Sequence, residues 1–166
     1  MNKKKLFLLI AVIAVILIII FSCSSGKSNA EKVASDYIKA SYKGDTKKMA
    51  DLTSDLTIEA SGCKSKKLYA NQIDSKYQSI AQQIEDTYGD KFKFKVSVVD
   101  SYDDVYDYYD NDGITSLNVT VVVIRADLSG KKETFLGLGS KEVNNTENWK
   151  VTMVEENGKW KVLRFD

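Results

Sequence analysis

Fourteen residues from Asp100 to Gly113 contain six aspartates and four tyrosines and no basic group. Hard cations take several carboxylate and carbonyl oxygens at once, so Asp103, Asp104, Asp107, Asp110 and Asp112 are candidate Ca²⁺ ligands. With Gly113 placed at the sixth position of an EF-hand loop, Asp110 and Asp112 fall on ligand positions, but Tyr108 occupies the first and Val119 the twelfth. The EF-hand pattern is therefore not met. Two other readings fit the same residues. One is an interaction loop in which tyrosines supply contact area. The other is a solvated hairpin whose charges oppose edge-to-edge association. Elsewhere the chemical inventory is narrow. The 166 residues include no histidine, which removes imidazole acid/base catalysis and histidine-containing metal sites. The two cysteines are Cys23 and Cys63. Cys63 has no histidine to activate it. Lys64, Lys66 and Lys67 would lower its pKa only modestly, and a passive, partly buried thiol fits as well.

The apolar residues are unevenly distributed. Lys3, Lys4 and Lys5 precede an unbroken apolar run from Leu6 to Phe21. As a helix that run would span about 24 Å, short of the ~30 Å hydrocarbon core of a bilayer, and its charge–apolar order matches a secretory signal. Without residues 1–22 the chain has a formal charge of −2, because three of the 24 Lys+Arg and none of the 23 Asp+Glu are lost. A nucleic-acid binder shows a basic excess, and the remainder has none, so no nucleic-acid partner is expected. Ile20-Phe21-Ser22-Cys23 resembles the lipobox of bacterial lipoproteins, with Phe21 bulkier than the usual residue. That resemblance implies a signal peptide over 1–22 and a diacylglycerol thioether on Cys23. Residues 23–29 would then form a flexible tether, with the domain held at the extracytoplasmic face of the cell membrane. An uncleaved signal anchor is the alternative, and both place residues 30–166 outside the cytoplasm.

Those residues must be positioned by helices first and strands afterwards. Ser28-Asn29-Ala30-Glu31 has the form of a capping box, and Val33, Ala34, Tyr37, Ile38 and Ser41 follow at helical spacing up to Gly44. Asp45 is placed to cap a short second helix carrying Met49, Ala50 and Leu52. Ser54 to Lys67 reads as irregular. Leu68, Tyr69, Ile73, Tyr77, Ile80, Ile84 and Tyr88 then keep a helical period as far as Gly89. Beyond it the period changes to two. Phe92, Phe94, Val96 and Val98 alternate with polar residues as a half-buried strand. The β-branched run over 114–126 predicts a central strand, with Ser129-Gly130 as a turn into a strand over 134–138. Trp149–Val154 and Trp160–Phe165 form a closing hairpin through Asn157-Gly158. Trp149 and Trp160 read as core aromatics. This order predicts a single α+β domain over 30–166, with N-terminal helices packed on a curved antiparallel sheet.

The opening Val33–Ala40, Lys43-Gly44-Asp45 and Met49–Leu52, with the closing Glu156-Asn157-Gly158-Lys159-Trp160-Lys161-Val162, resemble the two ends of nuclear-transport-factor-2-like domains. Such domains occur in small lipoproteins of Gram-positive bacteria. The resemblance implies a cone-shaped fold with a cavity between helices and sheet. Tyr37, Tyr77 and Tyr88, on the inward helix faces, are the candidate ligand-binding residues of that cavity. Isomerase-like members use an aspartate base with tyrosine donors, and no carboxylate here matches that position. Dehydratase-like members use histidine, which is missing. No catalytic residue and no cofactor is therefore assigned. The expected function is a lipid-anchored binding module for a small ligand or an envelope protein, and the acid/base inventory argues against an enzyme. Two alternatives stand beside it: Asp/Tyr acid/base catalysis in the cavity, and a structural or regulatory role for the Asp/Tyr hairpin.

Overall fold

The structure, a computed structural model, describes residues 27–89, 91–110, 113–133 and 139–166. Among these residues four helices precede four strands. The helices are α1 (27–42), α2 (Thr46–Leu52), α3 (Asp55–Ala60) and α4 (Lys66–Tyr88). The strands are β1 (Lys93–Asp110), β2 (Gly113–Glu133), β3 (Ser140–Glu156) and β4 (Lys159–Phe165), paired in that order as one antiparallel, curved sheet. The α+β arrangement is the one expected. The lipidation candidate Cys23, the segment 1–22 and the strand expected over 134–138 lie outside the described residues. Among the described residues no helix is long and apolar enough to cross a membrane.

The helix starts and stops follow local chemistry, with one exception. Gly44 takes a left-handed φ of 63° after α1, and the Asp45 carboxylate accepts from the Lys48 backbone N–H at 3.0 Å to open α2. Gly89 closes α4 at φ 81°. The exception is the capping box. Lys27, Ser28 and Asn29 are already helical, so Ser28 caps nothing and part of the expected tether is helix. Glu31, the residue that would reach back to the cap, instead accepts from the Ser101 hydroxyl at 2.5 Å. Lys27 pairs with Asp103 at 3.3 Å. Contacts to β1 thus replace the local cap. A second difference is α3, inside the stretch read as irregular. Ser54 caps it by accepting from the Thr57 N–H at 3.1 Å, while its own N–H donates to Val162 O at 2.8 Å.

The main core lies between α1, α2 and α4 and one face of the sheet, where Tyr37, Ile38 and Met49 meet Val122, Ile124, Val151, Met153 and Val162. The run Val119 to Val122 is buried residue after residue, because a second, smaller core covers the other face. There Val119, Val154 and Leu163 pack with Leu56, Tyr106 and Leu117. The central position expected for β2 holds. The expected turn at Ser129-Gly130 does not. Both residues lie within β2, opposite Asn144 and Val143. A Cβ on Gly130 would sit 2.1 Å from the Tyr88 carbonyl oxygen and 2.6 Å from its Cβ. The glycine lets the end of α4 lie on the strand; it does not turn the chain. Leu68, expected on the buried stripe of α4, is 52% exposed. The closing hairpin turns as expected, with Asn157 at φ 53° and Gly158 at φ 71°.

β1 is much longer than the alternation over 92–98 predicts. It passes a bulge between Val98 and Asp100 and continues through the Asp/Tyr segment to Asp110, paired with β2 throughout. β3 pairs with β2 only from Thr120 onward. Asp104–Asp110 and Gly113–Val119 therefore form a two-stranded arm beyond the body of the sheet.

Candidate functional site

Two cavities flank the C-terminal end of β4, and Phe165 lines both. Its ring packs on Tyr37 at 5.2 Å between centroids and on Trp149 at 5.8 Å. This side chain is the partition between them. It also separates the three expected cavity tyrosines. Tyr37 lines the larger space; Tyr77 and Tyr88 line the smaller.

The larger space is a cleft of about 950 Å³, at the upper end of the range for small-molecule sites, ~300–1,000 Å³. Tyr37 comes from α1, Thr53 from the link between α2 and α3, Leu56, Thr57, Glu59 and Ala60 from α3, and Tyr69 from α4. β4 adds Val162 to Phe165, and the arm adds Tyr106, Tyr108 and Tyr109. Five of the nine tyrosines thus meet here. At the floor the Tyr37, Thr53 and Tyr69 hydroxyls share hydrogen bonds, and Thr53 also donates to Met49 O at 2.8 Å. Burial above all, then the neighbouring Tyr69 and Tyr77 phenols, holds the Tyr37 hydroxyl far above the ordinary phenol range. Burial likewise raises Tyr69. These groups act as neutral donors and acceptors. Glu59 and Arg164 are the charged residues of the lining. Arg164 lies 3.4 Å from the Asp166 carboxylate. The β4 backbone beside the cleft is occupied, since Val162 O accepts from the Ser54 N–H and Leu163 O from the Thr57 hydroxyl at 2.6 Å.

The smaller space, about 450 Å³, lies between α1, α4 and β3. Its wall carries a short relay in which the Trp149 indole donates to the Tyr42 hydroxyl at 2.9 Å and Tyr42 donates to Glu147. Burial first, and the Glu147 carboxylate second, raises the Tyr42 pKa, with the Trp149 indole opposing them. Burial brings Tyr77 to about 12, with a contribution from Tyr69. Glu147 is the half-buried carboxylate of this wall, and its partners are side chains of the protein itself.

The arm separates the aspartates proposed as calcium ligands. Neighbouring strand residues face opposite ways, so Asp104 points away from Asp103 and Asp107. Asp103 accepts from Thr120 at 3.1 Å and pairs with Lys27. Asp107 accepts from Ser116 at 2.5 Å, and Asp104 from the Val105 N–H at 2.8 Å. Among the described residues no three acidic or cysteine side chains gather as a metal site. Asp112 and the Asp110 side chain lie outside them. Cys63 is a free, half-buried thiol bonded to the Gln72 side-chain oxygen at 2.8 Å. Trp149 and Trp160 both pack on the main core as half-buried residues.

Sequence reasoning missed Tyr69 as a cleft residue, although its four-residue steps to Ile73 and Tyr77 put it on the same helix stripe. It also missed the Tyr42–Glu147–Trp149 relay, whose members are 105 and 107 residues apart. No local signal joins them.

No family model and no curated protein matches the chain. Among solved structures it is similar to the intermembrane space region of the chloroplast protein ARC6, at a TM-score of 0.32 and 13% identity, over 82% of this chain and 92% of that one. A likeness of that degree bears on neither fold family nor function.

Proposed function

We propose that the chain is a lipid-anchored, extracytoplasmic binding module of the nuclear-transport-factor-2-like type. It acts by holding a ligand in the tyrosine-lined cleft and not by catalysis. The observation that carries this reading is the cleft itself: about 950 Å³, walled by five tyrosines drawn from α1, α4 and the arm. Aromatic side chains give large, rigid contact area at small entropic cost, and hydroxyls at the floor orient what enters. The cone-type fold is supported by the order of elements and by the helix-to-sheet core. The anchor is supported by Ile20-Phe21-Ser22-Cys23 after a basic–apolar start. Because α1 is helical by residue 27, only four residue steps separate it from Cys23. Extended chain spans at most ~3.6 Å per residue, so the anchored domain stands within about 14 Å of its lipid.

Two experiments test the two halves of the reading. Cys23→Ala should abolish acylation and leave an unprocessed precursor; normal processing and membrane retention of that variant would remove the lipobox. A thermal-shift screen of the full chain against metals, lipids and envelope metabolites should raise Tm for a ligand class, and Tyr108→Ala should weaken that response. An unchanged response would place the site elsewhere. One observation favours acid/base catalysis as a second reading: Tyr42 stands beside the half-buried Glu147 in the smaller cavity. Glu147→Gln would have to eliminate an activity while leaving Tm close to wild type.

A further inference from the structure

We infer that the cleft takes a neutral, polyhydroxylated ring compound, a segment of uncharged oligosaccharide, laid across the arm tyrosines. The inference rests on the cleft being the binding site and names what it holds. Three features of the lining point to this chemistry. First, the contact surface is phenolic. Tyr106 and Tyr108, on one face of the arm, contribute rings on one side and Tyr37 and Tyr69 on the other, with the exposed Tyr109 at the rim. A tyrosine combines an apolar face with a polar tip, which matches a sugar ring with its C–H faces and peripheral hydroxyls.

Second, among the described residues the lining carries no excess charge. Glu59 and Arg164 are one acid and one base. A phosphorylated or strongly anionic guest would be met by a single arginine that already lies beside Asp166, and a polycation by a single glutamate. Third, the main chain is taken. A peptide added as a strand along β4 needs free backbone groups. Val162 O and Leu163 O are already engaged by Ser54 and Thr57, and Thr53 forms a parallel bridge with Val162. Recognition is left to side-chain rings and hydroxyls.

The test is titration calorimetry on the full chain in a detergent without a sugar headgroup. The probes are neutral β-1,4-linked hexamers of glucose and of N-acetylglucosamine, with a proline-rich peptide of similar length as the competing class. The expected result is saturable binding of at least one hexamer, weakened ~10-fold by Tyr108→Ala, the scale of a single aromatic contact, and by less in Tyr109→Ala at the rim. Tyr109 is 82% exposed, so its replacement leaves the fold intact. Tyr42→Phe, beyond the Phe165 partition, should leave the affinity unchanged. Binding of the peptide alone, lost in Tyr108→Ala, would keep the cleft as the site and overturn the sugar. Hexamer binding that survives both arm variants would overturn the placement in the cleft. No binding of either class at millimolar concentration would overturn the sugar assignment, while the cleft as a site stands or falls with the Tyr108→Ala response in the thermal-shift screen.

Discussion

The nine tyrosines divide into two groups with opposite surroundings. Tyr37, Tyr42, Tyr77 and Tyr88 lie buried on the helices, with Tyr69 half-buried among them. Their rings stack on core aromatics, as Tyr42 does on Phe94 at 5.4 Å and Tyr88 on Phe92 at 5.2 Å. The distal half of β1 carries Tyr102, Tyr106, Tyr108 and Tyr109 among aspartates, and among the described residues six of the seven large hydrophobics that stand exposed lie between Val98 and Ile114. Residue type is the same in both places. What differs is whether a second layer covers the strand. The body of the sheet is clasped between α1, α2 and α4 and the smaller core, whereas the arm projects past β3 and β4. The helix tyrosines are consequently scaffold with polar tips, whereas on the arm Tyr106 packs on the smaller core, Tyr108 is half-buried and Tyr109 presents surface. The cleft forms where the two groups meet.

The contrast can be broken at its strong end first. Ile124→Ala, at 0% exposure between helices and sheet, should lower stability by about 2–5 kcal/mol in urea unfolding; a loss below ~1 kcal/mol would mean the main core is not packed as described. Gly130→Ala forces a Cβ against the Tyr88 carbonyl and should cost about 1–3 kcal/mol, read as a fall in Tm with partial separation of α4 from β2. Tyr42→Phe removes the acceptor of the Trp149 indole and the donor to Glu147. It should cost roughly 1–3 kcal/mol and shift the Trp149 fluorescence. At the weak end, Val105→Thr on the arm should stay within about 0.5 kcal/mol of wild type. An effect as large as that of Ile124→Ala would show that the arm is core.

A titration sharpens the same contrast. Burial raises the phenols of Tyr37, Tyr42, Tyr69 and Tyr77, the last from 10.0 to about 12. In the unfolded chain these groups lose their protons at lower pH than in the folded one. Their contribution to stability is therefore full below pH ~10 and declines above it, that of Tyr77 being lost as pH rises through about 12. Unfolding followed by circular dichroism should coincide with growth of the phenolate absorbance. Phenolate growth of these buried rings well before the loss of structure would contradict their burial. The smallest expected effect is that of calcium. Strand alternation turns Asp104 away from Asp103 and Asp107, so Ca²⁺ should leave Tm unchanged. A rise that disappears when Asp103, Asp104, Asp107 and Asp110 are replaced by asparagine would restore the calcium reading.

Much of the fold was legible from local pattern. The stop at Gly44, the Asp45 cap, the α4 stripe apart from the exposed Leu68, the alternation from Phe92 to Val96 and the Asn157-Gly158 turn each depend on a few neighbouring residues and appear where expected. Val98, expected on the half-buried face, stands exposed just before the bulge. Two of the misreadings share one cause. Ser28-x-x-Glu31 has the form of a cap, but Glu31 bonds to Ser101, seventy residues away. Ser129-Gly130 has the form of a turn, but the glycine is there because Tyr88 lies against it. In both cases a distant contact outweighed a local preference of about 1 kcal/mol.

The sequence by itself determined the order of helices and strands, the narrow chemical inventory of a chain without histidine, and which helix faces turn inward. Those follow from residue type and period, which are properties of neighbours along the chain. The tertiary structure decided how Phe165 divides the interior, that Tyr69 and three arm tyrosines share one cleft with Tyr37, that Tyr42 and Glu147 meet, and that the arm aspartates diverge. These depend on strand register and on which layer ends where, set by contacts between residues some seventy to more than a hundred positions apart.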